Sequence, residues 1–198
     1  MTHFPEIEKQ LEFIIEIDKL KTVARKSKII HDDRYENDAE HSWHLAMMAL
    51  VLHPQANAEV DVFKVIKMLL IHDLVEIYAG DTFAYDTAGH ADKFERELEA
   101  AQKLFGMLPP QFGGEFMELW LEFERKETNE ARFAGSLDRL QPILLNHLNQ
   151  GYTWKKFNVR KDQVLNRNRE IEKGSKSLWE YAQHIIEKSV KEGMLSER

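Results

Sequence analysis

The 198-residue chain carries 34 acidic against 27 basic residues, a formal net charge of −7, and is 43% hydrophobic and 31% charged. That balance describes a folded soluble domain and speaks against binding to long nucleic acids, which calls for a basic surface. The chain has no cysteine, which excludes disulfides, thiolate metal sites and a cysteine nucleophile, so any metal must be held by His, Asp and Glu.

The opening "MTHFPEIEKQ" has no basic stretch followed by an apolar run, so it does not read as a secretory signal. No apolar run reaches the roughly 18 residues of a membrane span, and a cytoplasmic location is expected. Helical periodicity then dominates. Ile7, Leu11, Ile14, Ile15 and Leu20 recur at helix spacing behind Pro5. "ARKSKIIHDDRYEND" breaks the pattern and reads as an irregular connection. Asn37 or Asp38 is expected to cap a helix through "AEHSWHLAMMALVLH", ending near Pro54, and Asp61 to cap another through "VFKVIKMLLIHDLVEIYA", ended by Gly80. Both are apolar on more than one face, which predicts central positions. "GDTFAYDTAGHAD" reads as a loop. Phe94, Leu98, Ala101, Leu104 and Phe105 mark an amphipathic helix stopped by Gly106, and two more helices are predicted through "EFMELWLEFERKE" and, from about Glu130, "ARFAGSLDRLQPILLNHL". Leu178, Ala182, Ile185, Ile186 and Val190 mark an outer helix near the C-terminus. With no alternating strand and no repeat, the chain reads as all-α.

Within "KMLLIHDLVEIYAGD", His72, Asp73, Glu76 and Asp81 stand among apolar residues. Ionisable groups in such a setting are costly unless paired, hydrogen-bonded or bound to a metal. His72 and Glu76, four apart, and Asp73 and Glu76, three apart, can share a helix face. His41 in the preceding helix and Asp138 in a later one supply further donors. Pro142 has no amide hydrogen for the Asp138 carbonyl, so a kink beside Asp138 is expected. Singly, each residue favours an ordinary structural role: Asp138 pairing with Arg132 or Arg139, Glu76 with Lys67, and His44, His53 and His147 as hydrogen-bonded core residues. Together, two acids and a histidine on one buried helix, with a His and an Asp on either side, favour a shared cation. The donor set accepts Mn, Co, Zn, Fe, Ni or Mg.

A histidine, a later His-Asp pair and a distant aspartate, in this order, resemble the HD-domain metal-dependent phosphohydrolases. The segments "RYENDAEHSWHLAMMAL", "IKMLLIHDLVEIYAGDTFAYD", "LWLEFERKETNEARFAGSLDRLQPILLN" and "LWEYA" look like the branch containing 5′-deoxynucleotidases. The resemblance implies one HD domain over residues 1–198, with a site core at about 37–149 and a C-terminal helical region at 161–198 packed on it. It implies that His41, His72, Asp73 and Asp138 bind one divalent metal. Glu76 matches the acid that handles a proton or the attacking water. Asp81 matches a position near the water and the nucleotide sugar, and Arg25 the phosphate-contacting arginine. The chain departs from the nucleotidases in having no aromatic soon after Arg25 before Tyr35. Glu76 is followed by Ile77 where alarmone hydrolases carry Asp, and only His90, in a polar segment that reads as surface, lies between the His-Asp pair and Asp138, which favours a single-metal site.

The implied activity is hydrolysis of (deoxy)ribonucleoside 5′-monophosphates to nucleoside and phosphate, with a small-molecule nucleotide as the partner, no long nucleic acid and no membrane. The alternatives are a nucleotide-binding helical module without turnover and an HD phosphohydrolase of another phosphoester. The outer "LWEYAQHIIEKSV" helix suits either a homodimer interface or packing onto the core.

Overall fold

The computed structural model describes residues 4–86 and 88–198; residues 1–3 of the N-terminal segment and Thr87 of the predicted loop lie outside the described residues. In chain order it contains α1 (Pro5–Ile17), β1 (Ala24–Lys28), β2 (Tyr35–Asn37), α2 (Asp38–Leu52), α3 (Val62–Ile71), α4 (Glu76–Ala79), α5 (Lys93–Phe105), α6 (Pro110–Arg125), α7 (Asn129–Leu148), α8 (Tyr152–Lys156), α9 (Lys161–Asn168), α10 (Ile171–Gly174) and α11 (Lys176–Lys191), with 3-10 turns at Asp18–Thr22 and His53–Gln55. The architecture is all-α, as expected, save for one small sheet.

α7 is the hub, against which α2, α3, α6, α10 and α11 pack. Its Phe133, Leu137 and Leu140 are buried with Leu45 of α2, Val65, Met68 and Leu69 of α3, Trp120 of α6 and Ile186 of α11. A cap sets the start of α2: the Asn37 side chain accepts from the Glu40 amide at 2.9 Å, and Glu40 accepts in return from the Asn37 amide at 3.1 Å, a reciprocal box that satisfies two otherwise unpaired donors. Asp61 caps α3 through the Phe63 and Lys64 amides. α7 is continuous through Pro142, and Asp138 reaches His41 from it at 3.2 Å. Leu178, Trp179, Ala182, Ile185 and Ile186 of α11 are buried, so its apolar face is taken up by the core. Among the described residues no helix is long and apolar enough to cross a membrane.

Three features depart from the sequence reading. The "ARKSKIIHDDRYEND" stretch forms an antiparallel hairpin of β1 and β2, with Ala24 opposite Asn37, Lys28 opposite Tyr35 and an irregularity between. Its inward positions hold Arg25 and Ser27 while Ala24 and Lys26 face outward, so the apolar alternation that marks a strand is absent. The helix expected from Asp61 to Gly80 ends at Ile71. Beyond it, Leu74, Glu76, Ile77 and Tyr78 donate to the carbonyls three residues back, a tightened winding that eclipses side chains at i and i+3. Finally, α1 and α2 are less enclosed than their apolar content suggests: Ile15 is 71% exposed, Trp43 63% and Val51 69%. His53 is exposed as well, whereas His147 bonds the Ser189 hydroxyl at 2.9 Å.

α10 comes close to α7 because Gly174 has no side chain. A Cβ there would stand 2.3 Å from the Arg132 carbonyl oxygen and 2.4 Å from the Ser136 hydroxyl. Gly174→Ala is expected to destabilise the chain by about 2–3 kcal/mol, because the backbone contact overrides alanine's better helix propensity. Urea unfolding should show a lower midpoint; an unchanged midpoint would mean that α10 can move away freely.

Candidate metal centre and its cleft

Three junctions bring the ionisable residues together. The β2–α2 junction supplies Glu36 from the inward face of the strand, then Asp38 and His41, three residues apart on one face of α2. The tightened α3–α4 junction supplies His72, Asp73 and Glu76, the last two eclipsed by the i+3 winding, and Gly80, with φ +77°, turns the chain so that Asp81 follows on the same side. α7 supplies Asp138 and, three residues on, Gln141. All of these except Asp81 and Asp138 are buried.

His41, His72 and Asp73 each offer a ligand atom within 4.8 Å of the others. Asp138 Oδ1 stands 3.2 Å from His41 Nε2 and 3.8 Å from His72 Nε2. The His72 ring is oriented by its Nδ1, 2.9 Å from the Leu69 carbonyl. A carbonyl only accepts, so Nδ1 carries the proton and Nε2 turns its lone pair toward the cluster, the tautomer a metal-ligating histidine needs. Nε2 is buried and makes no hydrogen bond, even with Asp73 Oδ1 at 3.1 Å. A buried acceptor without a donor, facing two carboxylates and a second imidazole, fits a divalent ion, and the mixed nitrogen and oxygen donors suit first-row metals and magnesium.

The electrostatics make the same demand for positive charge. Burial opposes a charged imidazole, yet the nearby Asp73 carboxylate, followed by that of Asp138, outweighs it and pushes His72 up to about 10. Burial opposes ionisation of Asp73, but the His72 charge and then Arg25 hold its carboxyl well below the usual range. Arg25 donates from Nη1 to Asp73 at 2.8 Å and to Asp38 at 3.0 Å, with Glu36 3.7 Å from its Nε.

Asp38, Glu76 and Asp81 form a second group whose oxygens lie within 4.8 Å of one another. Burial first, and then the charge of Asp73, pushes Asp38 up to about 6, and burial with Asp73 and Asp38 pushes Glu76 well above its ordinary value. Glu76 Oε2 and Asp38 Oδ2 are buried without partners. Burial and mutual repulsion thus oppose ionisation across this group, with Arg25 as its counter-charge.

Every residue the sequence reading singled out for the site lies in this assembly, with Arg25 engaged by carboxylates. Neither Arg132 nor Arg139 forms an ion pair with Asp138 among the described residues, and Lys67 pairs with Glu115 instead of Glu76. The sequence reading missed Glu36, and it took Asp38 for a cap only. Their signal was spacing, Asp38 three residues before His41. It also missed Gln141, which donates to Glu36 Oε1 at 2.6 Å from one turn beyond Asp138. His90 does not sit on open surface: it is half-buried and lines a hollow with His72, Asp73 and Asp138. Beside the cluster lies a cleft, partly open to solvent, walled by Arg25, Asp73, Glu76, Asp81 and Asp138 together with Tyr85, Asn146 and Trp154.

Glu36 Oε2 lies 3.6 Å from His41 Nδ1, beyond hydrogen-bond reach, and is the carboxylate nearest the second nitrogen of that imidazole. Glu36→Gln is expected to weaken divalent-metal affinity by roughly 10–100-fold, the range for loss of such an outer partner. Titration with Mn or Co against a chelator of known affinity would measure it, and an unchanged affinity would remove Glu36 from the metal centre.

Comparison with known proteins places the chain. A family model described as HD domain matches residues 17–179. A Dictyostelium discoideum protein named 5′-deoxynucleotidase HDDC2 is 32% identical over 152 residues, 74% of this chain and 77% of that one, and the human protein of that name is 30% identical over 135 residues, 68% and 65% of the two chains. The crystal structure of a protein from Magnetospirillum magnetotacticum, described as a predicted metal-dependent phosphohydrolase, superposes with a TM-score of 0.93 at 48% identity, covering 99% of this chain and 100% of that one. The fold, the order of the histidine and aspartate motifs and these relatives agree: the chain belongs to the HD-domain family.

Proposed function

We propose that the chain is a divalent-metal-dependent phosphohydrolase that converts (deoxy)ribonucleoside 5′-monophosphates to nucleoside and phosphate. The observation that carries this reading is the buried, unpartnered Nε2 of His72, facing His41, Asp73 and Asp138 at the wall of a cleft. The names of the Dictyostelium and human relatives supply the substrate class.

His41, His72, Asp73 and Asp138 would hold one divalent ion, drawn from Mn, Co, Zn, Fe, Ni and Mg. When bound, such an ion supplies Lewis-acid stabilisation of phosphoryl charge and lowers the pKa of water from 15.7 toward about 7. The chain's own residues do the rest. Arg25 holds Asp73 and Asp38 in place and adds positive charge to the phosphate end of the cleft. Water attacks phosphorus opposite the nucleoside 5′-oxygen, the bond from phosphorus to that oxygen breaks, and the leaving oxygen gains a proton. Glu76 is the group that moves the proton: its carboxyl lines the cleft, has a free buried oxygen, and stands outside the His–Asp cluster. Asp81, on the same wall, orients the water or a ribose hydroxyl. Positioning and electrostatics of this kind account for most of phosphoryl-transfer catalysis.

The proposal includes a homodimer in which the exposed apolar side chains of α1 and α2, Ile15, Trp43 and Val51 among them, meet a second copy. A monomeric sedimentation coefficient would refute it.

The deciding test is phosphate release from a panel of ribo- and deoxyribonucleoside 5′-monophosphates, using chelator-stripped protein with each metal returned singly. Metal-dependent release is expected. Silence across the panel with metal demonstrably bound would sink the monophosphatase and favour a nucleotide-binding module or another phosphoester.

A further inference from the structure

Two cations in the cleft have no work in the mechanism above. Arg139 follows Asp138 on α7, and Arg167 lies in the last turn of α9; both wall the cleft together with Asp73 and Asp138, and both also wall the neighbouring hollow that holds His72 and His90. They stand where the two spaces meet at the His–Asp cluster. Arg25 meets three carboxylates and Lys93 is paired with Glu97 at 3.1 Å. Arg139 and Arg167, by contrast, have no carboxylate within 4 Å among the described residues, and the Arg167 guanidinium makes no hydrogen bond there. Burial and the neighbouring Arg139 charge pull Arg167 below the usual arginine range, so the two guanidiniums repel each other. Two half-buried like charges converging on a cleft that also holds a phosphohydrolase centre are costly unless an anion joins them. Guanidinium forks match phosphate oxygens in pairs, which a single lysine cannot do.

We propose that Arg139 and Arg167 form a phosphate subsite of the cleft, which takes a phosphate group of the substrate. The inference rests on the phosphohydrolase reading and deepens it, since the sequence resemblance assigned phosphate contact to Arg25 alone. One chemistry has two sources here: the phosphoryl group being transferred, or a second phosphate on the same nucleotide. Arg139 also donates from Nη1 to the Arg167 carbonyl at 2.5 Å and so ties the last turn of α9 to α7, which makes Arg167 the cleaner position to alter.

The experiment is calorimetric titration of inorganic phosphate into metal-loaded protein, for the native chain, Arg167→Gln and Arg167→Lys, with steady-state kinetics on 2′-deoxyadenosine 5′-monophosphate and 2′-deoxyadenosine 3′,5′-bisphosphate beside it. Arg167→Gln is expected to weaken phosphate binding about tenfold or more, and Arg167→Lys less, because the charge is kept. A parallel rise in KM for the monophosphate would identify the transferred group as the occupant. An unchanged KM for the monophosphate, with a lost preference for the bisphosphate, would identify a second phosphate. Phosphate binding unchanged in both Arg167→Gln and Arg139→Gln would overturn the subsite. The titration needs no turnover, so a silent nucleotide panel beside Arg167-dependent phosphate binding would strike the nucleotidase reading and leave the subsite standing.

Discussion

Asp73→Ala is expected to abolish metal-dependent turnover, by at least about 10³-fold in kcat/KM, well beyond the roughly 10–100-fold that follows loss of an outer-sphere partner. The carboxylate does three things at once. Its Oδ1 is 3.1 Å from His72 Nε2 and its Oδ2 is 3.8 Å from His41 Nε2, so it closes the donor cluster. Its Oδ2 also anchors Arg25 at 2.8 Å. Alanine therefore removes a ligand and loosens the arginine that organises Asp38. In the metal-free protein the stability change should be small, because Asp73 also repels Asp38 and Glu76 there, and that relief offsets the lost ion pair. The informative quantity is the stabilisation by metal. An ion at 100 times its Kd stabilises the native chain by about 2.7 kcal/mol, a rise of roughly 5–10 °C in Tm for a protein of this size. The native protein should show that rise and Asp73→Ala should lose most of it. If the variant kept both the metal-induced shift and turnover, the ion would have to sit elsewhere.

The site was legible where its chemistry coincides with helical spacing, and illegible where it depends on contacts between distant segments. His41, His72, Asp73 and Asp138 stood out because charged groups in apolar helices have few inexpensive explanations. Their helices were visible too, since Asn37, Asp61 and Gly80 punctuate the periodic stretches and a cap acts locally. The break at Ile71 was hidden, because an i+3 winding through His72–Val75 leaves the apolar pattern nearly intact and shifts the side chains by only a fraction of a turn. The hairpin was hidden for the opposite reason: its inward residue is Arg25, buried by Glu36, Asp38 and Asp73 from three segments, so its strand pattern is polar on the face that usually is not. Arg167 carries no local signal, because its meeting with Arg139 exists only once α9 has folded back on α7. The open faces of α1 and α2 mislead in the same way, since apolar content shows that a face avoids water without showing what covers it.

Glu76→Gln separates chemistry from scaffolding most sharply. Glutamine keeps the shape and the polar contacts of a protonated glutamate, and burial together with Asp73 and Asp38 already favours that protonated form in the metal-free protein. The variant should therefore fold normally and melt at the native temperature or somewhat above it, since one source of negative charge has left a crowded carboxylate group. Metal affinity should change little, because Glu76 belongs with Asp38 and Asp81 and not with the His–Asp cluster. What glutamine cannot do is accept and return a proton. Loss of a positioned acid–base group lowers rates by about 10²–10⁴-fold, so kcat should fall by on the order of 10² or more while KM stays near the native value. A split of this kind, with stability and metal intact and kcat lost, is what a proton-handling residue produces and a structural one does not. Full turnover in metal-loaded Glu76→Gln would transfer the role to Asp81 or Asp38, the two remaining carboxylates of the group.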